Sequence, residues 1–427
     1  MTKKGRNDLA WEKLFEKYNI LRRIERNGFF QISATQIKEF REPRLMVKFD
    51  HTSDLPKLFT DNKLAILPVT RGDYVISHFD AYHKFETASK PIVRMSLPPH
   101  IQSLDYYHIS SEAIALNCAI ASGMIADFLE DEELLATVSG RMSSGIFDFE
   151  IRDTQYNSRE VHVENSQIEI DAAYEGVRYL SIFEAKRELS EDFLIRQLYY
   201  PFRLWHSRVS KIVKPVFLVY SNSIYRFYEY DFQKENYYNS LRLVKQVNYS
   251  LEDTAITSAD IQSILDSVIY VDEPAIPFPQ ANKFERVINI CELVNTQELN
   301  RADVTKQYAF DARQTNYYTD AARYLGLVEK RIEYGTPIYK ITNLGKRILN
   351  LNFKQRQLAF ANCILQHKVF HKTLCWYFRN GCMPTDDKIV EIMRRSNLFS
   401  MGMDSTYYRR ASTVKGWINW IAGLING

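Results

Sequence analysis

The sequence predicts a multidomain α+β or α/β protein, with a central mixed β-sheet flanked by helices and a helical C-terminal third. Three observations carry that prediction. At 427 residues the chain exceeds one compact core, so about two to four domains are expected. Strand-like and helix-like stretches alternate through its middle in the order α-β-β-β-α-β-β, the pattern of a mixed sheet covered by helices. Beyond "DEPAIPFPQ", whose prolines can continue neither a helix nor a central strand, apolar residues recur at helical spacing almost to the end.

Taken in order, residues 1–100 read as a small α+β domain. "DLAWEKLFEKYNILRRIERNG" places Leu9, Trp11, Leu14, Phe15, Tyr18, Leu21 and Ile24 in a helical rhythm that Gly28 ends. Ser33 with Gln36 makes a capping box for a second short helix. "KLAILPVTRGDYVISHF" reads as strands around a turn at Arg71-Gly72-Asp73. Residues 101–275 form the next domain. It begins with one long helix, "SEAIALNCAIASGMIADFLEDEELL", and a strand, "SSGIFDFEI". Two further strand-like runs, "QIEID" and "SIFEAK", come before the helix "SEDFLIRQLYYPFRLWHSRV". "KPVFLVYS" and "SIYRFYEYDF" are its last strands. After the linker, residues 281–345 give three helices, "KFERVINICELV", "NRADVTKQYAF" and "ARQTNYYTDAARYLGLV". A hairpin turning at Gly335-Thr336-Pro337 follows them, which is the winged-helix plan. Residues 346–427 read as a helical module, with a second helix-turn-helix-like unit.

The composition excludes several classes. No run reaches the ~18 apolar residues that span a bilayer, and the basic N-terminus leads into an amphipathic pattern, so a cytoplasmic protein is expected. The five cysteines form no Cys-x-x-Cys pair and lack histidines at zinc-finger spacing, which argues against a structural zinc site. Charge is unevenly spread. Residues 281–427 carry 22 Lys+Arg against 12 Asp+Glu, and residues 1–280 carry 33 against 40. A basic end on an acidic body suggests a polyanion-binding segment joined to a part that uses carboxylates.

The chemistry concentrates in "QIEIDAAYEGVRYLSIFEAKRELSEDFLIRQ". Side chains alternate along a strand, so Glu184 and Lys186 share one face, and Glu169 shares a face with Asp171. Gly176 can make the turn between the two runs. If they pair, Asp171 approaches Glu184 and Lys186 across the pair. Two carboxylates brought together repel, and burial raises the cost. A hard divalent cation such as Mg²⁺, with Mn²⁺ substituting, removes that cost through oxygen ligands. A lysine beside the ion can orient or deprotonate an attacking water and stabilise charge on phosphorus. Read alone, Glu184 and Lys186 would be an ion pair on a solvated strand end.

The spacing "IEID", twelve residues, "EAK" resembles the PD-(D/E)XK nuclease motif. The surrounding "QIEIDAAYEG…FEAKRELSEDFLIRQLYYP" is similar to bacterial type II restriction endonucleases, and the resemblance extends to the winged-helix segment and to "TYYRRASTVKGWINWI". The family's proline before the first acid is replaced by Ile170. The resemblance implies a restriction-endonuclease-like fold in which Asp171 and Glu184 bind Mg²⁺ and Lys186 is the catalytic lysine. It implies a supporting role for Gln197 on the next helix, and Glu169 stands as an additional acid. An acid from the preceding helix, Glu130 or Glu133, is a common extra ligand in this fold, but "LEDEELL" reads better as a solvated turn. The implied activity is Mg²⁺-dependent, sequence-specific cleavage of double-stranded DNA in a bacterial or archaeal restriction–modification system, with a homodimer as one way to make two cuts.

In a winged helix the third helix enters the major groove. Here Arg313, Gln314, Asn316 and Tyr317 lie near its start and are expected to read bases, while Tyr318, Ala322, Tyr324 and Leu325 pack inward. Lys330, Arg331 and Lys340 on the hairpin, and Arg409, Arg410 and Lys415 on the final helix, are expected to meet phosphates. Trp417 and Trp420 are expected in the core. Two other functions fit the same sequence: a non-catalytic winged-helix regulator on a degenerate nuclease fold, and a repair or recombination nuclease.

Overall fold

The structure is a computed structural model that describes residues 5–86, 91–107, 109–251, 255–307, 312–399 and 401–425; of residues 306, 307, 312 and 313 only the backbone is described. The opening amphipathic stretch makes two helices, α1 (Arg6–Tyr18) and α2 (Ile20–Asn27), where one was expected. Asn19 breaks it in the left-handed region at φ 51°, which Asn tolerates better than most residues. Gly28 ends α2 as expected, at φ +82°. Strand β1 (Phe30–Ser33) leads into the helix Ala34–Lys38. There the Ser33 hydroxyl accepts the Gln36 N–H at 3.2 Å, and the Gln36 side-chain oxygen accepts the Ser33 N–H at 2.8 Å. Strands β2 (Ala65–Pro68) and β3 (Asp73–Ser77) form the expected hairpin and complete a three-stranded sheet in the order β1-β3-β2. Its core holds Trp11 edge-on to Phe59, with ring centres 4.8 Å apart.

The described residues divide into two compact units. One takes Met1–Ser89, Gly123–Val219 and Arg226–Val247, and the other takes Lys90–Ser122, Tyr220–Tyr225 and Asn248–Gly427. The first therefore joins much of the expected N-terminal domain to most of the expected nuclease domain.

The chain is a mixed α+β protein whose largest sheet has seven strands. Its strands are β4 (Leu135–Ser143), β5 (Gln167–Glu175), β6 (Tyr179–Lys186), β8 (Ile212–Ser221), β9 (Ile224–Phe232), β10 (Leu241–Ser250) and Ile92–Arg94. Their order is Ile92–Arg94, β10, β9, β8, β6, β5, β4. β6 lies antiparallel to β5 and parallel to β8. Between β6 and β8 the chain forms a short strand, β7 (Asp192–Leu194), and helix α3 (Arg196–His206), which packs on β5 and β6. β6 is buried from Leu180 to Ala185, as a central strand covered on both faces must be. β5 begins with strict alternation, Gln167 and Glu169 exposed against buried Ile168 and Ile170.

Four expectations in this region are corrected. The long helix is two helices, Glu112–Ala121 and Met124–Leu129, separated at Gly123 with φ +82°. The strand Ile146–Arg152 is not in the large sheet. It pairs with Ser158–Glu164 as a separate hairpin, because Asp153 accepts the N–H groups of Gln155 and Asn157, each at 2.8 Å, and closes a local turn. The sheet position next to β5 belongs instead to β4, an edge strand so exposed that it carries no hydrophobic alternation. The helix expected from Ser190 begins only at Arg196, after β7.

In the second unit, α4 (Phe284–Thr296), the short strand Leu299–Asn300, α5 (Arg301–Gln307) and α6 (Ala312–Tyr324) precede strands β11 (Val328–Glu333) and β12 (Thr336–Ile341). Leu299–Asn300 pairs with β12, and β12 with β11. The hairpin turns on Tyr334-Gly335, one residue earlier than expected. A two-residue turn of this hand needs φ > 0 at both positions, here 46° and 77°, which Pro337 cannot adopt. The helices Asn343–Leu349, Phe353–Leu365, Lys368–Asn380 and Asp386–Arg394 follow, then α7 (Asp404–Gly423). Trp417 of α7 is fully buried, stacks on Phe370 with ring centres 4.9 Å apart, and donates its indole N–H to the Ala281 carbonyl at 2.6 Å. Among the described residues no helix is long and apolar enough to cross a membrane.

Candidate active site

The β5–β6 register decides what can meet. Phe183 pairs with Ala172 and Ile182 with Ala173, so the next step along the ladder sets Glu184 beside Asp171. The tight link between the strands permits this. Gly176 approaches Asp131 so closely that a Cβ there would lie 2.3 Å from its carboxylate. At the far end of the hairpin an Asp171 carboxylate oxygen accepts the Ala185 N–H at 2.8 Å. Lys186 Nζ donates to Glu184 Oε1 at 2.6 Å, and Gln197 Nε2, from the first turn of α3, donates to the same oxygen at 2.7 Å. Four of the residues expected in the site, Asp171, Glu184, Lys186 and Gln197, are thus brought together.

The electrostatics of this group are unbalanced. Burial pushes the Glu184 carboxyl up to about 7; Lys186 opposes this and the charge of Asp171 adds to it. Burial alone would lower Lys186, but the charges of Glu184 and Asp50 raise it instead. Three carboxylates, Glu184, Asp50 and Asp171, act on the one Lys186 ammonium, so acids outnumber bases in this group.

Asp50 was not expected here. It comes from the N-terminal segment, follows buried Phe49, and shows no periodicity that could mark it in sequence. Tertiary contacts bring it in. Its carbonyl accepts the Leu194 N–H at 2.8 Å, three residues before Gln197. The Asp192 carboxylate accepts the Thr52 N–H at 3.1 Å and the Thr52 hydroxyl, and His51 Nδ1–H donates to the Asp192 carbonyl at 2.5 Å. Asp54 beside them is pushed up to about 6 by burial, with Asp50 and Asp192 adding to it against His51.

Glu169 is placed elsewhere. It is exposed and pairs with Arg141 of β4 at 3.3 Å. Glu130 is exposed and pairs with Lys245 at 2.8 Å, and Glu133 is exposed.

The donor set fits a hard cation. The side chains that meet at the strand ends offer carboxylate oxygens, and the excess negative charge favours a divalent ion. Gln197 Oε1 is buried next to Glu184 with no hydrogen-bond partner among the described residues, an oxygen acceptor left over for a bound water or ion. Among the described residues no group of three or more His, Cys, Asp or Glu side chains forms a ready metal cage. Mg²⁺ needs none, since one or two carboxylates plus substrate phosphate and water suffice.

Of the residues expected to contact DNA, the Arg313 side chain lies outside the described residues. Gln314, Asn316 and Tyr317 on α6 are half-buried, while Tyr318, Ala322, Tyr324 and Leu325 are buried, as expected. Lys330 is exposed. Arg331 pairs with Glu298 and, at 2.9 Å, with Glu333; Lys340 pairs with Glu298 at 3.4 Å. Arg409 is exposed and Arg410 half-buried. Burial and the charge of Arg409 lower the Arg410 guanidinium, while Tyr317 and Asp320 of α6 work against them, so this part of α7 lies near α6. Lys415 pairs with Asp386 at 2.9 Å.

Three family models match the chain, each described as a domain of unknown function: DUF6996 over residues 8–76, DUF6997 over 77–250 and DUF7226 over 286–426. Asp50 falls in the first segment, and Asp171, Glu184, Lys186 and Gln197 fall in the second. No curated protein and no solved structure matches the chain.

Proposed function

We propose that this chain is a sequence-specific, Mg²⁺-dependent endonuclease of double-stranded DNA, of the PD-(D/E)XK kind found in type II restriction–modification systems. The observation that carries the reading is the convergence of Asp171, Glu184, Lys186 and Gln197 at the strand ends of one hairpin, with charge left unbalanced. The parallel β6–α3–β8 connection beside an antiparallel β5–β6 pair supports a restriction-endonuclease-like core. The order α4, Leu299–Asn300, α5, α6, β11, β12, with its three-stranded sheet, supports a winged helix as the DNA-binding part.

Asp171 and Glu184 would hold Mg²⁺, or Mn²⁺ in its place. A bound cation would polarise the scissile phosphate and supply a water of lowered pKa. The chain's own residues do the rest. Gln197 fixes the Glu184 carboxylate by its 2.7 Å hydrogen bond. The raised Lys186 stays an ammonium at neutral pH, so it acts by orienting water and stabilising charge on phosphorus rather than as a base. Packing of α3 over β5 and β6 buries Glu184, where each charge counts for more than it would in water.

Digestion of a sequenced plasmid with Mg²⁺ tests the reading. Discrete bands are expected, and Asp171→Ala should lose cutting while keeping DNA binding. A smear at every site would remove sequence specificity. Full activity in Asp171→Ala would remove the site, and specific binding without cutting in Mg²⁺ or Mn²⁺ would leave a regulator.

A further inference from the structure

The first unit is not uniformly acidic. Residues 1–86 carry 16 Lys+Arg against 12 Asp+Glu, whereas its other two stretches, residues 123–219 and 226–247, together carry 15 against 20. A polyanion approaching carboxylates on such a body meets repulsion unless cations are supplied nearby. α2 offers them. Its sequence, ILRRIERN, turns Ile20 and Ile24 into the core, both almost fully buried. That fixes the helix rotation, so Arg22, Arg23 and Arg26 all face solvent.

Several cations of the unit are already neutralised. Arg141, Arg152, Arg178, Lys211, Lys214 and Lys245 each have a carboxylate partner. Among the described residues no carboxylate forms an ion pair with Arg22, Arg23 or Arg26. The one acid on the helix, Glu25, is exposed and leaves the helix with an excess of two positive charges. Two contacts pre-organise the surface. The Arg23 guanidinium lies 5.5 Å from the centre of the Phe30 ring. Arg159 reaches Gly28 at the end of α2 so closely that a Cβ would come 2.5 Å from its guanidinium; its Nε also pairs with Asp153 at 3.3 Å. Gly28 thus serves two purposes: its φ of +82° ends the helix, and its missing side chain admits a fourth guanidinium.

We propose that the Arg22–Arg23–Arg26 face of α2 binds the phosphate backbone of duplex DNA, giving the N-terminal segment a substrate-holding role. This rests on the nuclease reading for the identity of the polyanion. Guanidiniums free of carboxylates, on a rigid helix, suit phosphate contacts that are independent of base sequence. They add affinity and no sequence preference.

The test uses the full chain without divalent cation, with duplex binding measured by fluorescence anisotropy between 50 and 200 mM salt. Arg22→Ala/Arg23→Ala/Arg26→Ala should make the log–log salt slope shallower by about 3, because three phosphate contacts release that many fewer counterions. The triple lysine variant should keep most of the slope, and thermal melting should show both variants folded, since the side chains are exposed. An unchanged slope in the alanine variant overturns the proposal, as does an equal loss in the lysine variant. A loss confined to single-stranded RNA assigns the face to RNA and overturns it as well. Wild-type chain that binds duplex with a steep slope yet never cuts in Mg²⁺ or Mn²⁺ overturns the nuclease reading and leaves this proposal standing.

Discussion

At the turn end of the β5–β6 hairpin, Asp131 is almost fully buried, yet its carboxyl is held below the usual range. Burial works against it, but the N–H groups of Arg178, Tyr179 and Glu132 donate to it at 3.0 to 3.2 Å and outweigh that cost. At the strand end, the Glu184 carboxyl is pushed up to about 7 by burial, with Asp171 adding to the cost of ionisation. Both acids touch cations, Arg178 and Lys186 respectively. Their donors differ as well. Asp131 is satisfied by donors that the turn holds in place, whereas among the described residues Glu184 receives side-chain donors only, Lys186 and Gln197, and has a second carboxylate beside it. A satisfied buried acid holds a fold together. One that burial and a second carboxylate still raise keeps a demand for positive charge that a ligand can meet.

The largest effects should separate the two acids by kind. Asp131→Ala strands several buried N–H groups, and stability should fall by about 3 kcal/mol or more in urea unfolding, while folded protein keeps its cleavage rate. Glu184→Gln should do the reverse. Cleavage should fall by about a thousandfold or more, with unfolding at pH 8 no easier than in wild type. If Glu184→Gln unfolds the protein and Asp131→Ala leaves it stable, the comparison is broken.

How much of this was legible in sequence follows the range of the forces. The meeting of Asp171, Glu184 and Lys186 was readable because strand alternation and a Gly-containing turn are local rules, and the Ser33–Gln36 cap was readable for the same reason. The separate hairpin of Ile146–Arg152 was hidden because strand propensity does not say which strand is the partner. β4 was hidden because an edge strand open to water needs no apolar face. Asp50 was beyond reach, since it joins the site only when its carbonyl docks on Leu194, far along the chain.

The next effect is the pH dependence of stability, and its sign follows from Glu184. In the folded chain it titrates near 7, against 4.5 when unfolded, so the folded state binds more protons between those values and stability falls as pH rises through them. Wild type should lose up to about 3 kcal/mol over that window relative to Glu184→Gln, measured by urea unfolding at each pH. A divalent cation should offset the loss. At tenfold excess over its dissociation constant, Ca²⁺ or Mg²⁺ without DNA adds about 1.4 kcal/mol to wild type at pH 8 and nothing to Glu184→Gln. The same cation shift in both proteins would place the ion elsewhere.

The smallest effect falls on Glu169, two residues from Asp171 on the same strand. It alternates onto the same side but lies farther from the strand end, exposed to water, and its partner is Arg141 on the edge strand. An exposed pair of this kind contributes about 0 to 1 kcal/mol and is screened by salt. Glu169→Ala should therefore change stability by less than about 0.5 kcal/mol and leave the cleavage rate within about twofold. A large loss of cleavage would mean that bound DNA or metal draws Glu169 away from Arg141, and that the boundary between a solvated acid and a working one shifts when substrate arrives.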